Sequence, residues 1–313
     1  MSTEAPSGDA DERVVVLNPV SGDSDHTETV RNRAREAGYA VRETESAGDG
    51  VDLAAEAAAA GATTVVAAGG DGTVNEVVRG VVRATALDRV TVGIVPCGTG
   101  NDFAGNVGIT GIEQAFEVLD RGERRRVDFG VADDRPFLNS CICGLTAEAS
   151  AETNPEQKDR FGTVAYVLNT LRTISEFDSV RVTVELYDDE TDATVWAGSA
   201  LAVLVGNGRR FPPGGSEQAD VEDGRFDVVV VHDTDSVGLV GTTLAEHVLE
   251  RDTDRTSRYT VSSLDIDVKG HEPVAFSLDG EILQRRHLSL ETRSRALRLA
   301  VGPGYEPNPV GGA

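Results

Sequence analysis

The chain has 313 residues, a length typical of two domains, and 39% of them are hydrophobic, which is enough for ordinary globular cores. The 53 acidic residues outnumber the 29 basic ones, so the formal net charge is −24. Because nucleic-acid backbones select for positively charged faces, this balance excludes bulk nucleic-acid binding. Lysine occurs only at Lys158 and Lys269. Excess acid with so little lysine predicts adaptation to high salt, where charges are strongly screened; a very acidic soluble protein without that adaptation is the alternative.

The cysteine pattern and the N-terminus indicate a reducing, intracellular environment. Cys97, Cys141 and Cys143 match neither a disulfide framework nor a usual zinc site, so we expect them to be core residues. No run is long and apolar enough to span a bilayer, and the N-terminus lacks the basic region and apolar core of a signal peptide. A cytoplasmic protein is therefore expected. Residues 1–11 are predicted to be a disordered acidic tail.

The first half of the chain alternates short apolar runs with helical patterns. Strands are predicted at 13–17, 39–41, 63–68 and 90–95, and helices at 26–37, 51–60, from the turn after residue 68 to about 85, and at 111–120. This alternation predicts a parallel α/β sheet. Ligands of such sheets bind at the carboxyl ends of the strands. Polar turns containing glycine follow three of the predicted strands, at 18–22, 69–75 and 98–102.

The turn at 69–75 carries the strongest local signal. Gly69, Gly70 and Gly72 allow a ligand to approach the backbone closely, and the start of the following helix is a ready anion site. Thr73 and Asn75 are predicted to cap that helix. A plain strand-to-helix corner is the alternative for this turn alone. Three matched turns, however, favour a shared ligand, and an acidic residue inside the turn suggests that a divalent cation accompanies a phosphate.

The second half of the chain changes character near residue 128. Most of its predicted strands follow one another without helices, which favours an antiparallel sandwich or barrel. These strands are predicted at 126–132, 136–143, 179–187, 194–205, 226–231, 258–268, 273–277 and 286–301. Helices are predicted at 158–177, packing on the sheets or lining a lipid-facing cleft, and at 236–249. The basic run Arg121–Arg126 is either a solvated loop or a contact for phosphates or an anionic headgroup.

Together, the three turns resemble the diacylglycerol kinase catalytic domain family, which includes bacterial lipid kinases and the sphingosine and ceramide kinases. The resemblance covers about residues 13–303, and Gly-Gly-Asp-Gly by itself also occurs in ATP–NAD kinases. The motifs are Asn18-Pro-Val-Ser-Gly22, Gly69-Gly-Asp-Gly-Thr73 with Asn75-Glu76, Gly98-Thr-Gly-Asn-Asp102-Phe-Ala104, Val127-Asp-Phe-Gly130, Arg160-Phe-Gly162 with Tyr166, Asn207-Gly208 with Gly214-Gly215, Asp223-Gly-Arg-Phe-Asp227 and Asp279-Gly-Glu281.

The resemblance implies an N-terminal α/β nucleotide domain with a parallel sheet of the NAD kinase and diacylglycerol kinase type, and a C-terminal antiparallel β-sandwich domain. The predicted boundaries are a tail at 1–11, the ATP-binding domain at 12–128, the β-rich lipid-acceptor domain at 129–290, a final strand at 291–303 that returns to the first domain, and a tail at 304–313.

The resemblance also implies the site residues. ATP would be held by Asn18, Ser21, Gly22, Thr44, Gly70, Asp71, Gly72, Thr73, Asn75 and Thr99. Asp71 would act through Mg²⁺, Glu281 would be the general base, and Asp128 its partner carboxylate. A second Mg²⁺ would be bound by Asp220, Asp223 and the carbonyl of Arg225. The alternative for this segment is an acidic surface turn. Asp279-Gly280 alone is a strong hairpin signal.

The implied function is an ATP- and Mg²⁺-dependent lipid kinase acting on a diacylglycerol-like or related lipid alcohol. A kinase of a soluble polyol or NAD-like molecule and a non-catalytic nucleotide-binding regulator are the alternatives. Arg209 and Arg210 depart from the family pattern, and we expect them to read a charged headgroup; with a salt-adapted source the acceptor could be an ether-linked lipid alcohol. The expected partners are the lipid substrate and a membrane contacted peripherally, and a homodimer is left open.

Overall fold

The structure, a computed structural model, describes residues 12–22, 25–144, 179–188, 191–211, 218–233 and 256–309. These residues form two compact units. The first unit comprises the described residues of 1–98, 108–125 and 297–303, and the second those of 99–107, 126–296 and 304–313. The predicted helices at 158–177 and 236–249 lie outside the described residues.

The first unit is the predicted parallel α/β sheet. Its strands run in the order β4–β3–β1–β2, and every neighbouring pair is parallel. The end of β15 pairs with β4, also in parallel, through Leu299 and Val92. The strands are β1 Arg13–Leu17, β2 Ala40–Glu43, β3 Thr64–Gly69, β4 Thr91–Pro96 and the last residues of β15 His287–Val301; the helices are α1 His26–Glu36, α2 Asp49–Ala59, α3 Asp71–Arg83 and α5 Ile112–Arg121.

Periodic apolar residues fix the helices of the first unit on its sheet. In α3 the residues Val74, Val77, Val78 and Val81 are buried, which is the spacing of one helix face. Gly80 lies where α2 crosses: a Cβ there would stand 2.5 Å from the carbonyl oxygen of Val51. This bare position lets the two helices pack closely.

The second unit is antiparallel, as predicted. Its strand β9 pairs with β8 along its first part and with β7 and β10 near its end. On β8, Val182, Val184 and Leu186 are buried while the residues between them are more exposed, so one face of the strand points into the core. The elements are α4 Asp102–Asn106, β5 Glu123–Ala132, β6 Arg135–Phe137, β7 Ser140–Gly144, β8 Val180–Asp188, β9 Thr191–Gly206, β10 Phe226–His232, β11 Thr256–Val261, β12 Ser263–Val268, β13 Val274–Leu278, β14 Glu281–Arg285 and the first part of β15.

Two predicted strands are each divided in the structure. The run 136–143 forms β6 and β7, separated at Leu138 and Asn139, whose N–H groups bond a side chain instead of a strand. The run 258–268 forms β11 and β12, because β11 pairs with β10 whereas β12 pairs with β8 and β15. The chain changes partners at Ser262, which lies between them.

The unit boundaries differ slightly from the predicted domain boundaries of 128 and 291. The units change over between residues 125 and 126 and between 296 and 297, and the segment 99–107 belongs to the second unit rather than the first. Its packing explains this: Asn106 exchanges two hydrogen bonds with the backbone of Ala219, at 2.6 and 3.3 Å. A Cβ at Gly208 would stand 2.6 Å from the ring of Phe103, so that ring lies directly against the glycine.

The three cysteines are buried and unpaired, which confirms the prediction that they are core residues. Burial raises the pKa of Cys97 and of Cys143 to about 12. Within the described ranges, no helix has the length and apolar character needed to cross a membrane.

Candidate functional site

The first and second glycine turns are joined by a side chain. Asn18 follows β1, and its amide nitrogen donates to the hydroxyl oxygen of Thr73 at 3.3 Å. The carbonyl oxygen of the same side chain accepts the N–H of Val20 at 3.1 Å, which fixes the shape of the first turn. Asn18 therefore holds the turn after β1 against the turn after β3, at the carboxyl ends of two neighbouring strands.

The third turn meets both of the others at bare glycines. A Cβ at Gly22, whose φ is +55°, would stand 2.6 Å from the carbonyl oxygen of Cys97. A Cβ at Gly70 would stand 3.3 Å from the Cα of Gly98. Each turn thus touches the other two at one edge of the sheet. Glycine is required at Gly22, and at Gly70 a larger residue would be tight.

The start of α3 differs from the prediction. The helix begins at Asp71, so Thr73 and Asn75 lie inside it and the prediction that they cap it is wrong. The N-cap is Gly70, which has no side chain to bond the first N–H groups. Thr73 and Asn75 are both buried, and the Thr73 hydroxyl accepts the hydrogen bond from Asn18. A helix start without a capping side chain is a favourable place for an anion.

The remaining predicted nucleotide residues divide between the units. Thr44 directly follows β2, is buried, and donates its N–H to the carbonyl oxygen of Leu17 at 2.9 Å. Ser21 lies in the first turn, and Gly72 is exposed in the first turn of α3. Thr99 is exposed and belongs to the second unit, whereas the others belong to the first.

In the second unit, Asp279 fastens the turn that precedes Glu281. Its carboxylate accepts the N–H groups of Leu138, Asn139 and Ser140 at 2.6, 2.9 and 2.8 Å. Asp279 and Gly280 have φ of +47° and +94° and join β13 to β14, so the hairpin prediction for this motif is confirmed. The loop between β6 and β7 therefore sets the position of the β13–β14 hairpin.

Glu281 is the first residue of β14 and presents an accessible carboxylate. Its side chain is 53% exposed, and Arg135 on β6 lies 3.7 Å away. A second ion pair, Arg285 with Asp133 at 3.8 Å, links the same two segments. Sequence reasoning missed Arg135, because nothing in the local sequence relates residues so far apart along the chain.

Asp128 was predicted as a catalytic partner carboxylate. In the structure, its carboxylate bonds the backbone of two other segments. It is fully buried, and its two oxygens accept the N–H groups of Gly224 at 2.6 Å and Arg295 at 2.5 Å. Burial raises its pKa in spite of these two bonds. Asp128 thus holds the loop that contains Asp220 and Asp223.

That loop concentrates negative charge. Asp223 is partly solvent-exposed, but the crowding of protein atoms around its carboxyl, together with Asp220, Asp128 and Asp227, raises its pKa to about 7. Asp220 and Asp223 each accept a backbone N–H at 2.9 Å, which shapes the loop. Among the described residues, no group of three or more His, Cys, Asp or Glu side chains is arranged to hold a metal ion.

The arginines that depart from the family pattern are paired inside the second unit. Arg209 forms an ion pair with Asp102, and Arg210 lies 3.5 Å from Asp227. Both side chains are mostly buried, at 15% and 14% exposure. In this structure both guanidinium groups are therefore engaged inside the unit, and Arg209 anchors the end of the third turn through Asp102. The contact with a charged headgroup stays a prediction.

The basic run is also used internally. Arg124 donates to three backbone carbonyls around the end of α5, where a cation is favoured by the helix dipole. Arg125 pairs with Glu123 at 2.8 Å, and Arg126 donates to the carbonyl of Ala296 at 3.3 Å. Residues 123–126 of this run belong to strand β5 rather than to a loop, whereas Arg121 at the end of α5 keeps 87% of its side chain exposed. A contact of this run with phosphates or an anionic headgroup stays a prediction.

Comparisons with known proteins agree with this architecture. The model of the diacylglycerol kinase catalytic domain matches residues 12–132, and that of the YegS C-terminal NAD kinase beta sandwich-like domain matches residues 139–301. The "Probable lipid kinase YegS-like" of Pseudomonas aeruginosa is 32% identical over 308 residues, covering 95% of this chain and 96% of that one. The "Lipid kinase YegS" of Escherichia coli K12 is 29% identical over 299 residues, with 93% and 96% coverage.

A crystal structure of a diacylglycerol kinase from Bacillus anthracis strain Sterne is similar with a TM-score of 0.74 at 23% identity, covering 93% of this chain and 97% of that one. The kinase-domain model and the relatives named as kinases indicate that this α/β unit with matched glycine turns, followed by a β-sandwich-like unit, is the architecture of a kinase family. The chain belongs to the diacylglycerol kinase catalytic domain family, with a C-terminal domain of the YegS type.

Proposed function

We propose that the protein is an ATP- and Mg²⁺-dependent lipid kinase that transfers the γ-phosphate to the hydroxyl of a diacylglycerol-like or related lipid alcohol. The observation that carries this proposal is the meeting of three glycine turns around the start of α3. Relatives across nearly the whole chain are named lipid kinases, which supports a lipid acceptor over a soluble polyol or an NAD-like molecule.

The residues of the first unit fit a nucleotide triphosphate. The bare glycines let a ligand approach the backbone closely at the turns, and the uncapped start of α3 favours negative charge. Asp71 is the first residue of α3 and only partly buried. A single carboxylate beside phosphates suits Mg²⁺, which is commonly bound by one or two carboxylates together with substrate oxygens. When bound, Mg²⁺ neutralises charge on the phosphates.

The acidic loop of the second unit fits the proposed second Mg²⁺ as an oxygen-only site. Two carboxylates, Asp220 and Asp223, and the carbonyl of Arg225 would bind it, with water completing the shell. Desolvation is the main cause of the raised pKa of Asp223, and the neighbouring carboxylates Asp220, Asp128 and Asp227 add to it. A cation would offset that mutual repulsion, which supports this assignment.

Glu281 supplies the proposed proton acceptor. It takes the proton from the lipid hydroxyl as that oxygen attacks the γ-phosphate, a contribution of about 10²–10⁴ in rate. Its exposed carboxylate can reach an acceptor, and Asp279 and Arg135 hold the strand and the side chain in place. Asp128 contributes indirectly, through the loop that it fastens.

A lipid substrate also implies contact with a membrane surface, and we propose that a cytoplasmic protein docks there peripherally. With a net charge of −24, docking on anionic lipid needs high salt or cations. Flotation with neutral and anionic liposomes in molar salt measures this. Recovery of the protein in the bottom fraction with both liposome types would refute docking.

The activity is tested with γ-labelled ATP, Mg²⁺ and either a total lipid extract or a set of soluble alcohols, in molar salt. Label that partitions into chloroform is expected, and the labelled product identifies the acceptor. Label found only in a water-soluble product would move the assignment to a soluble acceptor. Nucleotide binding without any transfer would support a non-catalytic regulator instead.

A further inference from the structure

Glu76 makes a contact that the proposed function does not yet use. It lies on α3, and its two carboxylate oxygens accept the N–H groups of Gly48 at 2.9 Å and Gly50 at 3.0 Å. Gly48 is the N-cap residue of α2, with φ of +94°. One side chain of α3 therefore satisfies two backbone donors at the start of the neighbouring helix, where negative charge is also favoured by the helix dipole.

The fit around Glu76 is tight. A Cβ on Gly50 would stand 2.5 Å from Glu76 Oε2 and 3.0 Å from its Cβ. A side chain at residue 50 would therefore displace the carboxylate. This loop needs glycine at two positions: Gly48 for its left-handed backbone angle, and Gly50 for the space that the Glu76 side chain occupies.

Glu76 anchors one end of the loop formed by residues 44–50. The other end is anchored at Thr44, whose N–H bonds the end of β1. Between these anchors, the Asp49 carboxylate accepts the N–H groups of Glu45 and Ser46 at 2.9 and 2.7 Å. Hydrogen bonds within the loop thus fix its shape. Glu76 attaches its Gly48–Gly50 end to α3.

The rest of α2 is held without Glu76. Gly80 lets the two helices approach, and Arg83 pairs with Asp52 at 2.7 Å. Removing the Glu76 carboxylate should therefore release the loop while the helix pair stays in place. This separates a role in positioning the loop from a role in folding.

With the phosphates at the start of α3, as proposed, the strand order leaves this loop for the nucleoside part of the nucleotide. Because the order is β3–β1–β2, the loop after β2 lies two strands, about 10 Å, from the start of α3. The loop carries the carboxylates of Glu45 and Asp49, which repel phosphate. It suits neutral hydroxyl groups, whereas the bare glycine turns suit the phosphates.

We infer that Glu76 is a positioning residue for nucleotide recognition: it fixes the far end of the loop of residues 44–50 to the helix whose first turn receives the phosphates, while β1 holds Thr44 at the near end. The inference rests on the proposed function, since it assumes that the nucleotide binds at this edge. It predicts different effects on two ligands, whereas a general loss of structure would weaken the binding of both. Loss of Glu76 weakens binding of the nucleoside part and leaves binding of a bare triphosphate unchanged.

The experiment compares Glu76→Gln and Gly50→Ala with the control Glu56→Gln, an exposed residue of α2 that undergoes the same chemical change. Dissociation constants of the full-length protein are measured for Mg-ATP and for inorganic tripolyphosphate with Mg²⁺. We expect ATP binding to weaken about tenfold or more in both test variants and to stay within about twofold in the control. Tripolyphosphate binding should stay within about twofold in all three.

Unchanged ATP affinity in Glu76→Gln would overturn the inference, and so would a parallel loss of ATP and tripolyphosphate binding, because that pattern means a structural role. Both outcomes leave ATP binding by the unmodified protein intact, and with it the proposed function. Failure of the unmodified protein to bind ATP would instead refute the proposed function together with the inference that depends on it.

Discussion

Replacing Asp279 by alanine should loosen the hairpin that carries Glu281. The carboxylate accepts three backbone N–H groups at 2.6–2.9 Å. Hydrogen bonds to a charged group contribute about 1.5–3 kcal/mol each, but the three donors share two oxygens on a half-buried side chain, so the sum is discounted. We expect the free energy of unfolding to fall by about 3 kcal/mol. A base displaced by about 1 Å loses on the order of 10² in rate, so kcat should fall as well.

The assay is denaturant unfolding in molar salt, followed by lipid phosphorylation at saturating ATP. Asp279→Asn should lie between the unmodified protein and Asp279→Ala, because asparagine keeps one acceptor oxygen and tolerates the left-handed φ of +47°. Asp120→Ala is the matched control, since its surface ion pair with Arg121 contributes only about 0–1 kcal/mol. If Asp279→Ala unfolds within about 0.5 kcal/mol of the control and retains kcat, the reasoning about this hairpin is refuted.

Three further predictions use other regions. Because burial raises the pKa of the Cys97 and Cys143 thiols to about 12, both should resist a disulfide reagent at pH 8 until denaturant is added, and rapid native labelling would contradict their burial. The backbone N–H bonds from Glu45 and Ser46 lower the pKa of Asp49, so Asp49→Asn should lower the unfolding midpoint at pH 7, with the difference shrinking as the pH falls below about 4; a constant difference would contradict this. Gly22→Ala should weaken Mg-ATP binding by about tenfold or more, because its Cβ would meet a backbone oxygen at 2.6 Å with φ at +55°, and unchanged affinity would show that the first turn is not part of the site.

The turns were predictable from the sequence because their signals are local. Asn18, Gly22 and Gly70 carry the backbone requirements of each turn within a few residues, and the alternation of strands and helices places all three turns at one edge of the sheet. The Asp279-Gly280 hairpin was predictable for the same reason. Such features depend on residues that are close together in the chain.

The missed features depend on distant partners. The break between β6 and β7 is set by a carboxylate about 140 residues away. Nothing in the sequence around Arg209 indicates its ion pair with Asp102, which lies 107 residues earlier. Asp128 reads as a catalytic carboxylate in the sequence, and only the structure shows that Gly224 and Arg295 bond both of its oxygens. Periodicity and spacing contain no information about such pairs.

The central claim, phosphoryl transfer to a lipid hydroxyl with Glu281 as base, is tested most directly by Glu281→Gln. The control is Glu272→Gln, an exposed residue just before β13. The account predicts that Glu281→Gln binds Mg-ATP with the affinity of the unmodified protein but labels the lipid at least about 10²-fold more slowly. The control should match the unmodified protein in both ATP affinity and labelling rate. Equal labelling rates for Glu281→Gln and the unmodified protein would contradict the account.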